Sequence, residues 1–499
     1  MLNVPLIAHG HIIEDPDLEF GGRREGTRFT TPDVSRHLDK LLVSSPSSLR
    51  ELYNIAFEEI LDYLGDLGSA LNFARNTHMQ QAYEMSVQTS GLGASILRKL
   101  YENTGLVYTR ENLRTIAENS VGVEYLENWV EEKLPNGASY AIRAFGARTA
   151  HIIAGNVPSV SALTIARNAL LRSDAIIKTP SNDPLTAAAI ARTMIEMAPD
   201  HPISRHTSVA YWKGGDLALE DAIYQPKNIE KIVAWGGFNS VKHITRYIQP
   251  GIDLITLDPK LSSTIVGKDA FASAESLAEV AERIANDVGN HNQEGCVNAR
   301  VVYVQSGTDA DGVKRLNELG RKVFDAIQAL PPHQSTAAVR MDHEFVDEIA
   351  GIKLGSMDYN VYGCGPEGGA IVSQISEPVD FSRLLANRVC NLVPIDDVRT
   401  AVQSINAYTQ TIGVYPEALK AQIRDEMALY GCQRVVSLGY ASNAVVMSAT
   451  GVQDAIEPMR RMCKWVVDES CDPAVVPLPS RAPAPASAAE QEHCARRPR

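Results

Sequence analysis

From Tyr140 onward the chain alternates short apolar runs with longer amphipathic stretches, and this alternation constrains the fold more than any other feature. Tyr140-Ala-Ile-Arg-Ala-Phe alternates as a strand does, and Thr149-Ala-His-Ile-Ile-Ala is a short apolar run that ends at Gly155-Asn156-Val157-Pro158. A helix is predicted over Ser159–Leu171, a buried strand at Ala175–Lys178 and a helix over Pro184–Met197. Strands follow at Thr207–Trp212 and Ile232–Trp235, the second leading into Gly236-Gly237 and another helix. Short apolar strands separated by helices form a parallel sheet with crossover helices. A second series starts near Ala270. It contains the strand Val301–Val304, a helix over Asp311–Leu330, the strand Gly368–Ser373, a helix over Pro394–Asn406 and the strand Gln410–Tyr415.

The flanking regions read differently. Residues 2–14 form two short strands around His9-Gly10-His11. Two histidines without a third ligand read as solvated turn residues, and no metal is expected. Residues from about 32 to 132 are mostly helical. Ser45-Pro46 starts a stripe of Leu49, Leu52, Ile55, Ile60 and Leu64, and further helical patterns run from Met85 to Tyr101 and from Leu113 to Leu134. Residues 431–470 are mixed and end in a helix over Ala455–Trp465. Beyond 473 the chain is a Pro-, Ala- and Ser-rich tail that builds no core. The expected organisation is an N-terminal region 1–136, α/β units at 137–268 and 269–430, a return segment 431–472 and the tail 473–499.

Composition excludes several classes of function. The 499 residues are 44% hydrophobic and 21% charged, an ordinary globular balance. The formal charge of −13 gives no general attraction to nucleic acid or to anionic membranes. Seven cysteines with no Cys-x-x-Cys pair fit a reducing compartment. The N-terminus shows no secretory signal, and no apolar run approaches the roughly 18 residues of a membrane span. A soluble cytoplasmic enzyme is expected.

Ligands of open parallel sheets bind at the carboxyl ends of the strands. That draws attention to Asn156, Lys178 and Gly236, which close or follow three of the runs. A separate candidate is Cys296, in Asn290-His-Asn-Gln-Glu-Gly-Cys-Val-Asn-Ala just before a strand. A cysteine on a Gly-containing turn between a helix and a strand can present its sulfur to a cleft.

Four stretches, in this order, resemble the aldehyde dehydrogenase superfamily, and within it the bacterial long-chain acyl-CoA reductases of luminescence-type fatty-acid reductase complexes. They are Ile152-Ile-Ala-Gly-Asn156-Val-Pro158, Ile176-Ile-Lys178-Thr-Pro-Ser181-Asn-Asp-Pro184, Val233-Ala-Trp-Gly236-Gly237-Phe-Asn-Ser and Asn292-Gln-Glu-Gly-Cys296-Val-Asn-Ala. The likeness covers roughly 137–470. It implies an aldehyde-dehydrogenase-like α/β fold with a cofactor domain and a catalytic domain, each built on a parallel sheet. Cys296 is then the nucleophile, and Asn156 gives a side-chain N–H to the oxyanion beside the backbone N–H of Cys296. Lys178 holds the adenosine ribose or its 2′-phosphate. Many NAD-using relatives have Glu where this chain has Ser181, which favours NADPH, with NADH the alternative. Gly236 and Gly237 admit the pyrophosphate, and Glu367, in Gly363-Cys-Gly-Pro-Glu-Gly-Gly, holds the nicotinamide ribose. His291 lies five residues before Cys296 and is given no role.

One departure carries chemical meaning. Hydrolytic relatives place a Glu general base where Thr256-Leu-Asp-Pro-Lys260 stands here, and a hydroxyl does not activate water as a carboxylate does. Asp253 and Asp258 are near enough in sequence to substitute. Without the base, a cysteinyl thioester survives until hydride arrives. The resemblance therefore implies reduction of an acyl thioester, acyl-CoA or a partner-delivered acyl group, to an aldehyde. The alternatives are an oxidising aldehyde dehydrogenase and a non-catalytic scaffold subunit. An ATP-dependent acyl-activating synthetase is the implied partner. The strand at Tyr140–Phe145 and the 431–470 segment resemble elements that pair between subunits, so a homo-oligomer is implied.

Overall fold

The apolar runs become the buried strands of two parallel sheets. The computed structural model describes residues 2–21, 27–43, 45–135, 138–257, 260–442, 457–471 and 474. The first sheet has seven strands in the spatial order Asp253–Leu257, Lys231–Trp235, Arg148–Ile152, Asp174–Lys178, Thr207–Ala210, Leu6–Ala8 and His11–Ile13. The first five run parallel. The last two form a hairpin that adds antiparallel to Thr207–Ala210. The crossover helices Ser159–Leu170 and Thr186–Met197 are buried on nearly every face because the N-terminal helices cover their outer side.

The second sheet also has seven strands, in the order Tyr359–Gly365, Gly368–Ser373, Val389–Pro394, Ala299–Val304, Leu261–Val266, Thr409–Tyr415 and Arg434–Ser437. All neighbours are parallel except the Tyr359–Gly365 and Gly368–Ser373 hairpin. Amphipathic helices Ala274–Gly289 and Ala310–Ala329 pack on one face around Val280, Ile284, Leu316 and Val323. A third sheet is antiparallel, with Ser139–Phe145 between Val130–Lys133 and Lys464–Ser470. Among the described residues no helix is long and apolar enough to cross a membrane.

Several local expectations are corrected. The Pro394–Asn406 helix is instead the end of the strand Val389–Pro394 and a shorter helix, Val398–Gln403, that starts where Asp397 caps it. Pro394 sits at the last position of its strand, where its missing N–H is tolerated. The helical pattern from Leu113 to Leu134 breaks at Gly122, which has φ 92°, and ends in the strand Val130–Lys133. The helix expected to reach Trp465 covers Glu457–Met462, and Lys464–Ser470 is a strand set by its pairing with Ser139–Phe145. The strand Leu261–Val266, ahead of the expected 268/269 boundary, belongs to the second sheet, as does Arg434–Ser437. The expected tail lies outside the described residues apart from Ala474.

His9 is not a solvated turn residue. It has a positive φ of 45°, and its Nε2 lies 3.3 Å from Asp174 Oδ1. The same oxygen lies 2.7 Å from His206 Nδ1, and His206 Nε2 lies 2.8 Å from Glu51 Oε1. This cluster ties an N-terminal helix, Arg50–Tyr53, to the start of the first sheet. Burial opposes charge on His206, but the carboxylates of Asp174 and Glu51 outweigh it and raise its pKa. Burial raises the Asp174 carboxyl, and its bonds to His206 and His9 more than offset this and lower it. The His206 contribution to stability is therefore full below its unfolded value near 6.5 and is lost as pH rises through the higher folded value. His206→Gln is expected to destabilise the fold by about 3 kcal/mol at pH 6, the usual cost of breaking a buried pair, and by less at pH 9. Urea unfolding at the two pH values checks this, and an equal loss at both would refute it.

Candidate active site

The carboxyl end of the strand Arg148–Ile152 lies close to the amino end of Ala299–Val304, where Asn156 meets the loop that carries Cys296. Asn156 follows the strand Arg148–Ile152 on a loop that packs closely under Pro180 and Asn182. A Cβ on Gly155 would lie 2.4 Å from Asn182 Oδ1 and 2.6 Å from Pro180 Cγ, so only glycine fits. Asn182 Nδ2 donates to Gly155 O at 2.7 Å. Asn156 Nδ2 in turn donates to Glu294 O at 3.0 Å, two residues before Cys296. Asn156 and the Cys296 loop, which the sequence separates by most of the first sheet, are therefore in contact through Glu294.

The Cys296 loop is tightly specified. His291, Asn292 and Gln293 all take positive φ, at 48°, 52° and 66°, a conformation that costs roughly 1–2 kcal/mol for each non-glycine residue. Bonds on every side hold it. His291 N–H donates to Gln334 O at 2.9 Å, and Asn292 Oδ1 accepts from Thr336 N–H at 2.8 Å. Gln293 Nε2 donates to Ala299 O and Val389 O, and its Oε1 accepts from Val389 N–H. Beyond the turn, Gly295 N–H donates to Asn298 Oδ1 at 2.9 Å, and Asn298 Nδ2 to Asp287 O at 3.0 Å. Cys296 O accepts from Ser262 Oγ at 2.6 Å.

Cys296 is half-buried and stands apart from the other described thiols. Burial pushes Cys364 and Cys463 up to about 12 and Cys432 up to about 11, and it raises Cys390 as well. Cys471 is exposed, just beyond the Lys464–Ser470 strand of the third sheet, and Cys494 lies outside the described residues. His291 supplies no cation to Cys296, because burial pulls it down to about 4. Two arginines do. Burial lowers Arg300, and the Cys296 sulfur and Glu294 partly offset that; burial lowers Arg434, and Asp287 and Cys296 partly offset that. Sequence reading missed both. Arg300, four residues after the cysteine, was within reach of it, but Arg434 arrives from a distant strand with no local signal.

Lys178 closes its strand as expected and lines a cavity of about 260 Å³ with Gly214, Gly215, Glu220, Ser240 and His243. Its ammonium lies 5.5 Å from the Trp212 ring centre and 5.8 Å from that of Tyr211. Burial pulls the amine down to about 8, with the Glu220 carboxylate opposing. Glu220 is a third residue that sequence reading missed. It is a carboxylate in this cavity although position 181 has none, but its oxygens are already engaged by Gly215 N–H at 3.2 Å, His243 Nε2 at 2.6 Å and Tyr247 OH at 2.9 Å. Gly236 and Gly237 join the strand Lys231–Trp235 to the helix Phe238–Ile244, and the space where a Gly237 Cβ would stand is open. The cavity lining does not include Ser181 or Glu367. Glu367 lies in the hairpin turn before Gly368, where its Oε1 accepts from Gly365 N–H at 3.2 Å.

Thr256 pairs with Ala234 near the carboxyl end of the first sheet, half-buried. Asp253 cannot replace the missing base. It starts the same strand at the opposite edge, bound to Lys231 at 3.4 Å and Arg461 at 2.8 Å. Asp258 lies outside the described residues.

The two α/β units have the aldehyde dehydrogenase fold, and the relatives below are oxidoreductases of that type. The whole fold is shared with lactaldehyde dehydrogenase at a TM-score of 0.71 and 14% identity, over 94% of this chain and 99% of that one. It is shared equally with the NADP-dependent glyceraldehyde-3-phosphate dehydrogenase of Bacillus halodurans C-125, at 0.70 and 12% over 94% and 99%. Within that class, residues 52–465 match the acyl-CoA reductase (LuxC) family, and the chain belongs to it. The long-chain acyl-protein thioester reductase of Vibrio harveyi is 26% identical over 94% of this chain and 93% of its own. The protein of the same name from Photorhabdus luminescens is 28% identical over 73% and 72%.

Proposed function

We propose that this chain reduces an acyl thioester, acyl-CoA or an acyl group delivered by a partner protein, to an aldehyde with NADPH, through a thioester on Cys296. The observation that carries the reading is the bond from Asn156 Nδ2 to Glu294 O, which fixes an amide donor beside the nucleophile loop. One N–H of that amide anchors the loop, and the other is left for the acyl oxygen.

The Cys296 thiolate attacks the acyl carbonyl, the bond from carbon to the donor sulfur breaks, and the donor leaves as its thiolate, which takes its proton from water. Asn156 and the Cys296 backbone N–H stabilise the oxyanion that develops in the attack. When bound, the reduced nicotinamide supplies the hydride. Collapse of the resulting thiohemiacetal on Cys296 frees the aldehyde and restores the thiolate. Lys178 supports the coenzyme assignment: a buried amine held down by desolvation gains from a phosphate, and Ser181 adds no opposing carboxylate. Gly236 and Gly237 border the space for the pyrophosphate, and Glu367 is assigned to the nicotinamide ribose. Family likeness supports a homo-oligomer and an acyl-activating synthetase as partner.

The test is a screen of NADPH oxidation against acyl-CoAs of graded length, with the aldehyde identified directly and the acyl adduct on Cys296 measured by intact-protein mass spectrometry. Absence of both adduct and aldehyde with every acyl donor, including an acylated synthetase, would overturn the reading. Thr256→Glu is expected to divert the acyl group to water, raising release of free acid in the absence of NADPH at least about tenfold, because a positioned base typically contributes 10²–10⁴-fold. Unchanged acid release would mean that Thr256 does not face the thioester.

A further inference from the structure

Attack by Cys296 needs its thiolate, and a free cysteine near neutral pH is mostly protonated. The answer lies at the amino edge of the second sheet. Its strands lose register at Ser262: the pairing of Leu261–Val266 shifts there against both Ala299–Val304 and Thr409–Tyr415. Such bulges re-aim side chains beside active sites. Here the bulge turns Ser262 Oγ onto Cys296 O at 2.6 Å while it accepts from Thr411 N–H at 3.1 Å. Thr411 pairs with Arg434 in the next strand, and Arg434 Nη1 reaches Thr411 Oγ1 at 3.5 Å and Ala441 O at 2.6 Å. The other terminal nitrogen, Nη2, is buried and makes no hydrogen bond. A guanidinium is thus pinned on the strand beside Thr409–Tyr415, linked through Thr411 and Ser262 to Cys296 O, with one terminal nitrogen unspent.

We propose that Arg434 is a positioning residue that holds Cys296 as a thiolate in the resting enzyme by fixed charge. This rests on Cys296 being the nucleophile. Each charged group facing the sulfur has a stated part. Arg300, on the strand that follows the loop, acts in the same direction as Arg434. His291 is buried and neutral, and Glu294 is exposed to solvent. Lys260, buried just before the bulged strand, adds positive charge near Cys432. Asp287 opposes: its carboxylate faces Arg434 and is held by Gly439 N–H at 2.8 Å and Ala441 N–H at 2.9 Å. The arrangement suits attack on a thioester, where the incoming thiolate needs no proton removed in the transition state.

The experiment is the pH profile of Cys296 alkylation by iodoacetamide in the full chain without coenzyme, read by peptide mass spectrometry. In the parent protein the midpoint is expected below the value of about 8.5 for a free cysteine. Arg434→Gln is expected to raise it by about one pH unit, slowing alkylation at pH 7 about tenfold, and Arg434→Lys to restore part of the shift. Asp287→Asn tests the opposite sign and is expected to lower the midpoint. A parent midpoint at 8.5 or above overturns the proposal. So does an unmoved midpoint in folded Arg434→Gln, or, where that variant does not fold, an unmoved or raised midpoint in Asp287→Asn. These outcomes are separate from failure of the proposed function, because a thiolate without acyl adduct and an adduct without a depressed midpoint are read independently.

Discussion

Cys296→Ala is expected to abolish aldehyde formation from acyl thioesters, with a fall of at least about 10³-fold, because covalent transfer has no second route in this site. The remaining described thiols do not compensate. Cys364, Cys390, Cys432 and Cys463 are raised by burial, and Cys471 lies beside the third sheet, away from the cleft. The variant should also lose the acyl adduct while keeping NADPH affinity, since the cavity at Lys178 is built from the other sheet. Coenzyme titration by fluorescence together with single-turnover acylation separates the two effects. Turnover equal to that of the parent would end the case for this cysteine.

Asn156→Ala is expected to lower kcat by about 10²–10³-fold with a small change in KM, the usual result of removing one oxyanion donor. The substitution also releases the anchor on Glu294 O. Displacement of the loop and loss of the donor are distinguished by Cys296 itself. Its reaction with iodoacetamide forms no oxyanion, so alkylation should stay within about twofold of the parent if the loop keeps its place. The other bonds of the loop, through Asn292, Gln293 and Asn298, favour that outcome. A parent-like kcat would remove Asn156 from the chemistry.

The parts of the fold that were legible in the sequence are those in which local pattern and tertiary role coincide. Asp174–Lys178 and Lys231–Trp235 are buried on both faces, so they read as continuous apolar runs bounded by turns. Lys464–Ser470 was not legible: its side chains are largely exposed, and only pairing with Ser139–Phe145 makes it a strand. Helix ends were lost for a related reason, since Gly122 interrupts a stripe that stays apolar on both sides of it. At the site, the strand-end rule and the order of the four motifs led to Asn156, Lys178 and Cys296. Glu220 and Arg434 could not be found that way. Each matters through what it faces across a cavity or a neighbouring strand, and neither lies in a run that marks it.

Asn156 follows a strand of one sheet and Cys296 precedes a strand of the other, and the hydrogen bond from Asn156 Nδ2 to Glu294 O links the two. On the proposed reading the reaction centre is thus shared property, complete only while both halves of the molecule are closed on each other. Breathing of the cleft to admit an acyl donor would uncouple oxyanion stabilisation from the nucleophile, so an open enzyme idles instead of squandering its acyl cargo.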